Sequence, residues 1–326
     1  MPNLTATAIA HPNIAFIKYW GNRWQELRLP VNGSISMNMA GLQTQTTVSF
    51  DDALAVDELQ INGKPVEGKG LERVSGILQL ARHAAGVTQK ARVVSSNNFP
   101  TGAGIASSAA AFAALAKASV AALGLDWDEA AISRLARMGS GSASRSVPAG
   151  YVEWYVGDSE ESSFAETIQP ADHWDLVDNV AIVSASHKKT GSTEGHALAP
   201  TSPLQQARVE DTPRRLEICR QAIYERDMAK LAEIIELDSN IMHGVMMTST
   251  PALFYWQPET LMVMNAVRDW RSDGLMAGYT IDAGPNVHVI CERPHANEVK
   301  KRLLALRGVK QVLVAGVGEG AHLAAG

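Results

Sequence analysis

Asn97-Asn-Phe-Pro-Thr-Gly-Ala-Gly-Ile-Ala-Ser-Ser-Ala-Ala110 places a proline, two glycines and two serines between a β-type run at Ala91–Ser95 and an alanine-rich helical stretch from about Ala106 to Leu123. Glycines let a backbone approach a ligand closely, and free N–H groups and hydroxyls at a helix start favour phosphate oxygens. A tight strand-to-helix turn with a serine cap fits the same residues. Two familiar nucleotide motifs do not fit. No Gly-Lys-Ser or Gly-Lys-Thr follows, and Gly102-x-Gly104-x-x-Ser107 runs into helix where a dinucleotide fold needs a second strand ending in an acid.

Upstream of this loop, the pattern predicts strands at Thr5–Ala10 and Ile14–Trp20 and along the alternating Ser34–Phe50. A hairpin follows over Leu59–Val66 with Asn62-Gly63 at its tip, then a helix over Leu71–Ala85. Downstream, Asp126 or Asp128 caps a further helix. A Ser/Gly-rich loop then leads to a strand at Gly150–Val156, and Asp158–Ser163 reads as solvated loop. The order changes from about Asn179: strand Val180–Ser184, long helices over Gln205–Glu225 and Met228–Met247, a helix over Pro258–Ser272, then strand, strand, helix, strand. An α+β chain in two directly packed lobes, residues 1–178 and 179–326, accounts for this pattern.

The chain has 326 residues, 46% of them hydrophobic and 19% charged, with a formal net charge of −5 and no long charged block. That gives no footprint for nucleic acid or an anionic membrane. Cys219 and Cys291 are the only cysteines, so no disulfide framework and no CxxC pair exists. Nine histidines never fall in HxH or HExxH spacing. Met242, Met246 and Met247 around His243 read as core or pocket wall. The N-terminus lacks signal-peptide character and no run is long enough to span a bilayer, so a cytoplasmic protein is expected.

The loop from Pro100 to Ala109 is similar to the Pro-x-x-x-Gly-Leu-x-Ser-Ser-Ala motif of the superfamily of galactokinase, homoserine kinase, mevalonate kinase and phosphomevalonate kinase, with Ile105 in the leucine place. Four more segments resemble signatures of mevalonate diphosphate decarboxylases: His11-Pro-Asn-Ile-Ala-Phe-Ile-Lys-Tyr-Trp-Gly21, Leu29-Pro-Val-Asn-Gly-Ser-Ile-Ser36, Ser140-Gly-Ser-Ala-Ser-Arg-Ser146 and Tyr279-Thr-Ile-Asp-Ala-Gly-Pro-Asn286. With the loop they span most of the chain in the right order. The resemblance implies a two-lobed small-molecule-kinase fold. Its N-terminal, ATP-binding lobe would be ribosomal-protein-S5-like, and a ferredoxin-like α/β C-terminal lobe would complete the substrate site. It also implies ATP and Mg2+ as cofactors, a phosphorylated mevalonate as substrate, and a homodimer.

The chemistry needs a phosphate cradle, a carboxylate near a 3-hydroxyl, and cations for the substrate's carboxylate and phosphate. By resemblance, Asp282 is the catalytic aspartate, Arg145 the carboxylate-holding arginine, and Lys18 the lysine near the transferring phosphoryl group. Alone, Asp282 reads as a turn cap before Ala-Gly-Pro and Lys18 as a strand-edge gatekeeper. Ser140, Ser142, Ser192 and Thr193 are implied near the substrate, while Tyr19 and Trp20 shape its pocket or pack in the core. Asn97, Pro100, Gly102, Gly104, Ser107 and Ser108 are implied around the nucleotide, with Ser107 and Ser108 also serving Mg2+. Gly316–Gly320 resembles the family's C-terminal glycine turn; an ordinary turn fits as well.

Two departures bear on the substrate. Diphosphate-using members carry a second basic residue after Lys-Tyr-Trp-Gly, where this chain has Asn22 followed by Arg23; and His187, Lys188 and Thr193 stand where the family's cations are placed differently. The sequence therefore favours mevalonate 5-phosphate, giving isopentenyl phosphate, over the 5-diphosphate. Phosphorylation of the 3-hydroxyl without decarboxylation, or a non-catalytic ligand sensor, are the remaining readings.

Overall fold

The computed structural model describes residues 4–99, 107–184 and 191–324. The chain runs β1 (Thr5–Ala10), β2 (Asn13–Ile17), a short ribbon of β3 (Asn22–Trp24) and β4 (Leu29–Pro30), β5 (Ser34–Asn38), β6 (Thr44–Asp51), β7 (Glu58–Ile61), β8 (Lys64–Pro65), α1 (Lys69–Ala85) and β9 (Lys90–Asn97). There follow α2 (Ser107–Ala122), α3 (Glu129–Gly139), a 3₁₀ turn at Gly141–Ser146, β10 (Tyr151–Trp154), β11 (Ala165–Gln169), β12 (Leu176–Ile182) and α4 (Ser192–Leu198). The remainder is α5 (Gln205–Glu225), α6 (Met228–Thr248), α7 (Pro258–Ser272), β13 (Ala277–Thr280), β14 (Val287–Glu292), α8 (Ala296–Ala305), β15 (Gln311–Gly316) and β16 (His322–Leu323).

Three main sheets organise these elements: β16-β1-β6-β9-β7-β8, β11-β10-β5-β2 and β13-β14-β12-β15. Among the described residues all ladders are antiparallel except β7 with β9. Residues alternate along β6 so that Thr44, Thr46, Val48 and Phe50 face inwards; Val48 and Phe50 join the apolar layer under α1 and α2, and α3 packs on those two helices. Helix α2 is apolar on every side because it lies inside that layer; its alanines permit close approach to β1 and β6. Asn62 and Gly63 both have positive φ, the turn geometry the Asn-Gly pair predicts. Asp128 caps α3 by accepting from the Ala131 N–H. No helix among the described residues is long and apolar enough to cross a membrane.

Several expectations change. The run predicted at Ser34–Phe50 is two strands parted by the turn around Gly41, and the strand predicted at Val180–Ser184 begins earlier, at Leu176. The Ser/Gly-rich loop is a 3₁₀ turn. The segment Asp158–Ser163 is not merely solvated: Glu160 takes the guanidinium of the buried Arg137 at 2.7 Å, and Ser163 is buried. Strand β11 and helix α4 were not expected. Strand β16 returns to pair with β1 in the first sheet.

Helix α6 sits between the second and third sheets and carries residues that matter below. Gly278 of β13 lets it lie close, because a Cβ there would stand 2.6 Å from the Ala232 Cα. Gly278→Val should therefore push α6 off the sheet and cost about 1–3 kcal/mol, the usual penalty of overpacking. A urea unfolding midpoint equal to wild type would show that this approach is not tight.

Candidate active site

A cavity of about 320 Å³ opens where the end of β2, the start of α2, the 3₁₀ turn, α4 and the loop after β13 meet. At its floor the Lys18 Nζ donates to Asp282 Oδ1 at 2.6 Å, across 264 residues of sequence. Lys18 lies one residue beyond β2 rather than on it, so its main chain has no strand partner. Side chains replace the ladder: Asp238 Oδ2 accepts its N–H at 2.7 Å, while Arg208 and Asn32 donate to its carbonyl at 2.7 and 2.9 Å. Lys18 is only 1% exposed, so the cost of burying its charge is met by the carboxylate.

Asp282 follows Ile281, whose N–H donates to Ser239 Oγ at 3.0 Å. Burial opposes its ionisation, yet the charges of Lys18, His288 and Arg145, with the Lys18 hydrogen bond, outweigh it and hold the carboxyl below the ordinary carboxylate range. His243 on α6 is buried and pushed down to about 3, chiefly by burial and then by the Lys18 charge, so it stays neutral. Its ring tilts against Trp256 with centroids 4.8 Å apart.

Arg145 projects from the 3₁₀ turn and is buried. Its guanidinium donates to Asn13 Oδ1 at 3.1 and 3.3 Å and to Ser34 Oγ at 2.6 Å, and among the described residues no carboxylate pairs with it. Burial lowers its pKa to about 10, which leaves it cationic at neutral pH. Asn13 in turn donates to Ser146 Oγ at 2.8 Å, so it fixes both Arg145 and the turn. A cation in this state is poised for an anionic ligand.

One wall is a row of hydroxyls. Ser108 Oγ lies 3.2 Å from Ser140 Oγ, which lies 3.4 Å from Ser142 Oγ. Ser107, Ser192 and Thr193 also line the cavity. The opposite wall is aromatic. His196 stacks on Tyr19 at 4.1 Å and tilts against Trp20 at 4.5 Å, and its Nδ1 accepts the Gly21 N–H. Tyr19 donates to Asn22 Oδ1, and its phenol is pushed up to about 12, mainly by burial. Gly141 is required against this ring, since a Cβ there would lie 2.5 Å from it.

A second cavity of about 630 Å³ adjoins the first and shares Arg73, Ser107 and Ser108 with it. Leu59, Val66, Val74 and Phe112 make it largely apolar, with Asn62, Ser95 and Asn97 as polar groups. Asn97 accepts the Thr44 hydroxyl there at 2.5 Å. Pro100, Gly102 and Gly104, expected in this region, lie outside the described residues.

The structure thus brings Lys18, Tyr19, Trp20, Ser107, Ser108, Ser140, Ser142, Arg145, Ser192, Thr193 and Asp282 to one cavity and puts Asn97 in its neighbour. The sequence reading missed Asn13, Arg28, Arg73 and His196. Asn13 stood in a quoted motif but carried no assigned role; Arg73 shows outward on an amphipathic helix, where arginines are commonplace. Arg23, the cation beside Asn22, donates instead to the Val156 carbonyl at the surface. Among the described residues no group of three or more His, Cys, Asp or Glu is arranged to hold a metal.

Two family profiles match the chain. One, described as a diphosphomevalonate decarboxylase-like N-terminal domain, covers residues 10–165, and one described as a mevalonate 5-diphosphate decarboxylase C-terminal domain covers residues 179–320. The chain is 37% identical over 314 residues to a diphosphomevalonate decarboxylase of Candida albicans, spanning 90% of this chain and 86% of that one. It is 36% identical over 300 residues to a phosphomevalonate decarboxylase of Haloferax volcanii, spanning 91% of each. A solved structure described as MDDEF in complex with MVAPP, AMPPCP and magnesium superposes with a TM-score of 0.93 at 38% identity, covering 98% of each chain.

The Lys18–Asp282 ion pair has a measurable consequence. Because Asp282 is depressed in the folded chain, its contribution to stability is present above the unfolded value near 3.9 and is lost as pH falls through the folded value. In Lys18→Met, burial remains while the nearest cation is gone, so the Asp282 carboxyl should titrate at higher pH than in wild type. Carboxyl ¹³C NMR checks this; superimposable titrations would show that Lys18 does not set the charge of Asp282.

Proposed function

The chain belongs to the diphosphomevalonate decarboxylase family, and on that premise we propose that it decarboxylates mevalonate 5-diphosphate at the expense of ATP. The products are isopentenyl diphosphate, ADP, phosphate and carbon dioxide. The observation that carries the proposal is the Lys18–Asp282 pair, a buried ammonium on a carboxylate open to the cavity, which shares that cavity with a buried Arg145 that no carboxylate among the described residues satisfies.

Asp282, ionised and wedged against Lys18, orients the substrate's 3-hydroxyl and accepts its proton. Lys18 stabilises negative charge that develops at the hydroxyl oxygen during phosphoryl transfer. Arg145, held flat by Asn13 and Ser34, takes the substrate carboxylate through its fork of donors and aligns the C–C bond that breaks. The aromatic wall of Tyr19, Trp20 and His196 bounds the substrate's carbon skeleton.

For the nucleotide, the fit is that of a largely apolar cavity opening through Ser107 and Ser108 onto the floor where Lys18 and Asp282 lie. Ser107 and Ser108 would hold phosphate oxygens and Mg2+, and Asn97 would line the base and sugar side. When bound, ATP with Mg2+ supplies the phosphoryl group that converts the 3-hydroxyl into a leaving group.

The 5-diphosphate replaces the 5-phosphate favoured by the sequence alone. That expectation rested on lost cations at Asn22 and Thr193, whereas the folded cavity gains Arg28 and Arg73. Relatives described as diphosphomevalonate decarboxylases support the same choice. The 5-phosphate is retained as a second reading on the Haloferax volcanii relative. The proposal includes a homodimer in the cytoplasm, testable by analytical ultracentrifugation and fractionation.

Coupled ADP release and trapped CO2, measured with mevalonate, its 5-phosphate and its 5-diphosphate, decide the substrate. The 5-diphosphate should give the highest kcat/KM with one CO2 per ADP; ADP without CO2 would make the protein a kinase. Asp282→Asn should lower kcat by about 10²-fold or more with KM little changed, as for loss of a general base. Near-normal kcat in that variant would remove Asp282 from the chemistry.

A further inference from the structure

Arg28 is a cation that no motif accounts for. It ends the turn between β3 and β4 with φ +50°, the left-handed region that residues with a Cβ rarely occupy. Strained backbone of this kind concentrates where a side chain is being aimed at a ligand. The side chain is only half-buried, unlike Lys18 and Arg145 at the floor, so it stands towards the mouth of the cavity.

Arg28 and Arg73 reach the cavity side by side. Arg28 Nε donates to the Met138 carbonyl at 3.0 Å, and an Arg73 terminal nitrogen donates to the next carbonyl, Gly139, at 2.7 Å. Arg73 is further fixed over the Phe112 ring at 4.8 Å. After burial, the Arg28 charge is what lowers the Arg73 guanidinium, and Arg28 is the largest influence opposing the rise at Tyr19. Among the described residues neither arginine has a carboxylate partner, and Asp282, the one acid lining the cavity, is taken by Lys18. Two guanidiniums held together without an acid make a site for a multiply charged oxyanion.

The neighbouring ribbon position is neutral. The Asn22 amide group is spent locally, its oxygen on Tyr19 and its nitrogen on Gln25 Oε1 at 2.6 Å, so the charge at this end of the cavity comes from the turn that joins the two strands of the ribbon. Arg73 borders both cavities, whereas Arg28 borders only the one that holds Lys18 and Asp282. With the reacting hydroxyl and carboxylate at the floor, each added phosphate of a substrate extends towards the mouth.

We propose that Arg28 is the phosphate-count determinant of this protein: its guanidinium holds the terminal phosphoryl oxygens of mevalonate 5-diphosphate beside Arg73. The inference rests on the decarboxylase reading above and adds the residue that selects the substrate.

Arg28→Gln and Arg28→Gly test it, the second because glycine suits φ +50° and so preserves the turn. With each, kcat/KM for the 5-diphosphate should fall by about 10- to 100-fold, the loss expected for one charge-assisted contact, mostly through KM. The value for the 5-phosphate should change less than about threefold, and KM for ATP should hold. Arg28→Lys should recover part of the loss, as a point charge without the fork. Equal losses on both substrates, or a change confined to KM for ATP, would overturn the assignment, the latter by giving Arg28 to the nucleotide. Wild-type protein that releases CO2 from the 5-phosphate but not from the 5-diphosphate would also overturn the assignment, whereas release of CO2 from neither substrate would defeat the decarboxylase reading itself, whatever the variants do.

Discussion

The Lys18–Asp282 ion pair is the contact around which the rest of the chain is arranged. It joins the end of β2 to the loop after β13, and it sets a buried ammonium against a carboxylate that stays open to the cavity, its side chain 27% exposed. Such a pair adds little net stability, because desolvating two ions consumes most of their attraction. Its value is positional, and the surroundings agree. Asp238 and Ser239, adjacent on α6, hold the Lys18 N–H and the backbone of Ile281 respectively. Asp238 is itself fixed by Arg215 at 2.7 Å, and Arg208 spans the carbonyls of Lys18 and Trp20. Arg208 is driven down to about 10 by burial. That many buried charges are tolerated where one helix must fix both members of a pair drawn from opposite ends of the sequence.

The same constraint explains a contrast in charge. The chain as a whole is acidic, with 34 Asp and Glu against 29 Lys and Arg, yet the described lining of the cavity holds Lys18, Arg28, Arg73 and Arg145 with the single acid Asp282. Overall charge governs solubility and says nothing of a pocket this size. Excess positive charge inside a partly dehydrated cavity is costly when empty and is offset when an anion enters. The cavity is thus built around a ligand with several negative groups.

Much of the fold was legible because its signals are local. Helices α5 and α7 begin and end where the 3.6-residue pattern puts them, and Asn62-Gly63 and Asp128 act as their side chains dictate. What escaped depends on contacts distant in sequence. Strand β11 is a short edge strand that shows its alternation only once β10 is beside it. Helix α4 starts in Ser-Thr-Glu-Gly, a composition that reads as loop. In the site, Lys18, Arg145 and Asp282 were legible through motif resemblance alone; their residue types and spacing also suit turns and strand edges. Arg28 and Arg73 carried no signal at all. One sits in the polar stretch Gln25-Glu-Leu-Arg28 and the other on the open face of α1, and they meet only because consecutive carbonyls at the end of α3 draw both inwards.

The chain after β15 packs against the segment that follows the Arg145 turn. The 3₁₀ turn that carries it has no sheet of its own, and the C-terminal glycine turn supplies the missing support. Gly318 N–H donates to the Asn38 carbonyl at 2.8 Å, Gly150 N–H donates to the Gly318 carbonyl at 2.9 Å, and Ala321 N–H donates to the Val147 carbonyl at 2.9 Å. Asn38 completes the clasp by donating to the Pro148 and Glu319 carbonyls. Side chains are excluded from this seam: a Cβ on Gly318 would lie 2.8 Å from the Ala40 nitrogen, and one on Gly320 would lie 2.4 Å from the Val147 carbonyl oxygen. The last strand then pairs with β1, so the final residues bind the third sheet's chain to the first sheet. On the role proposed for Arg145, a guanidinium that meets a carboxylate in one orientation needs a rigid stem, and here residues 318–321 provide it.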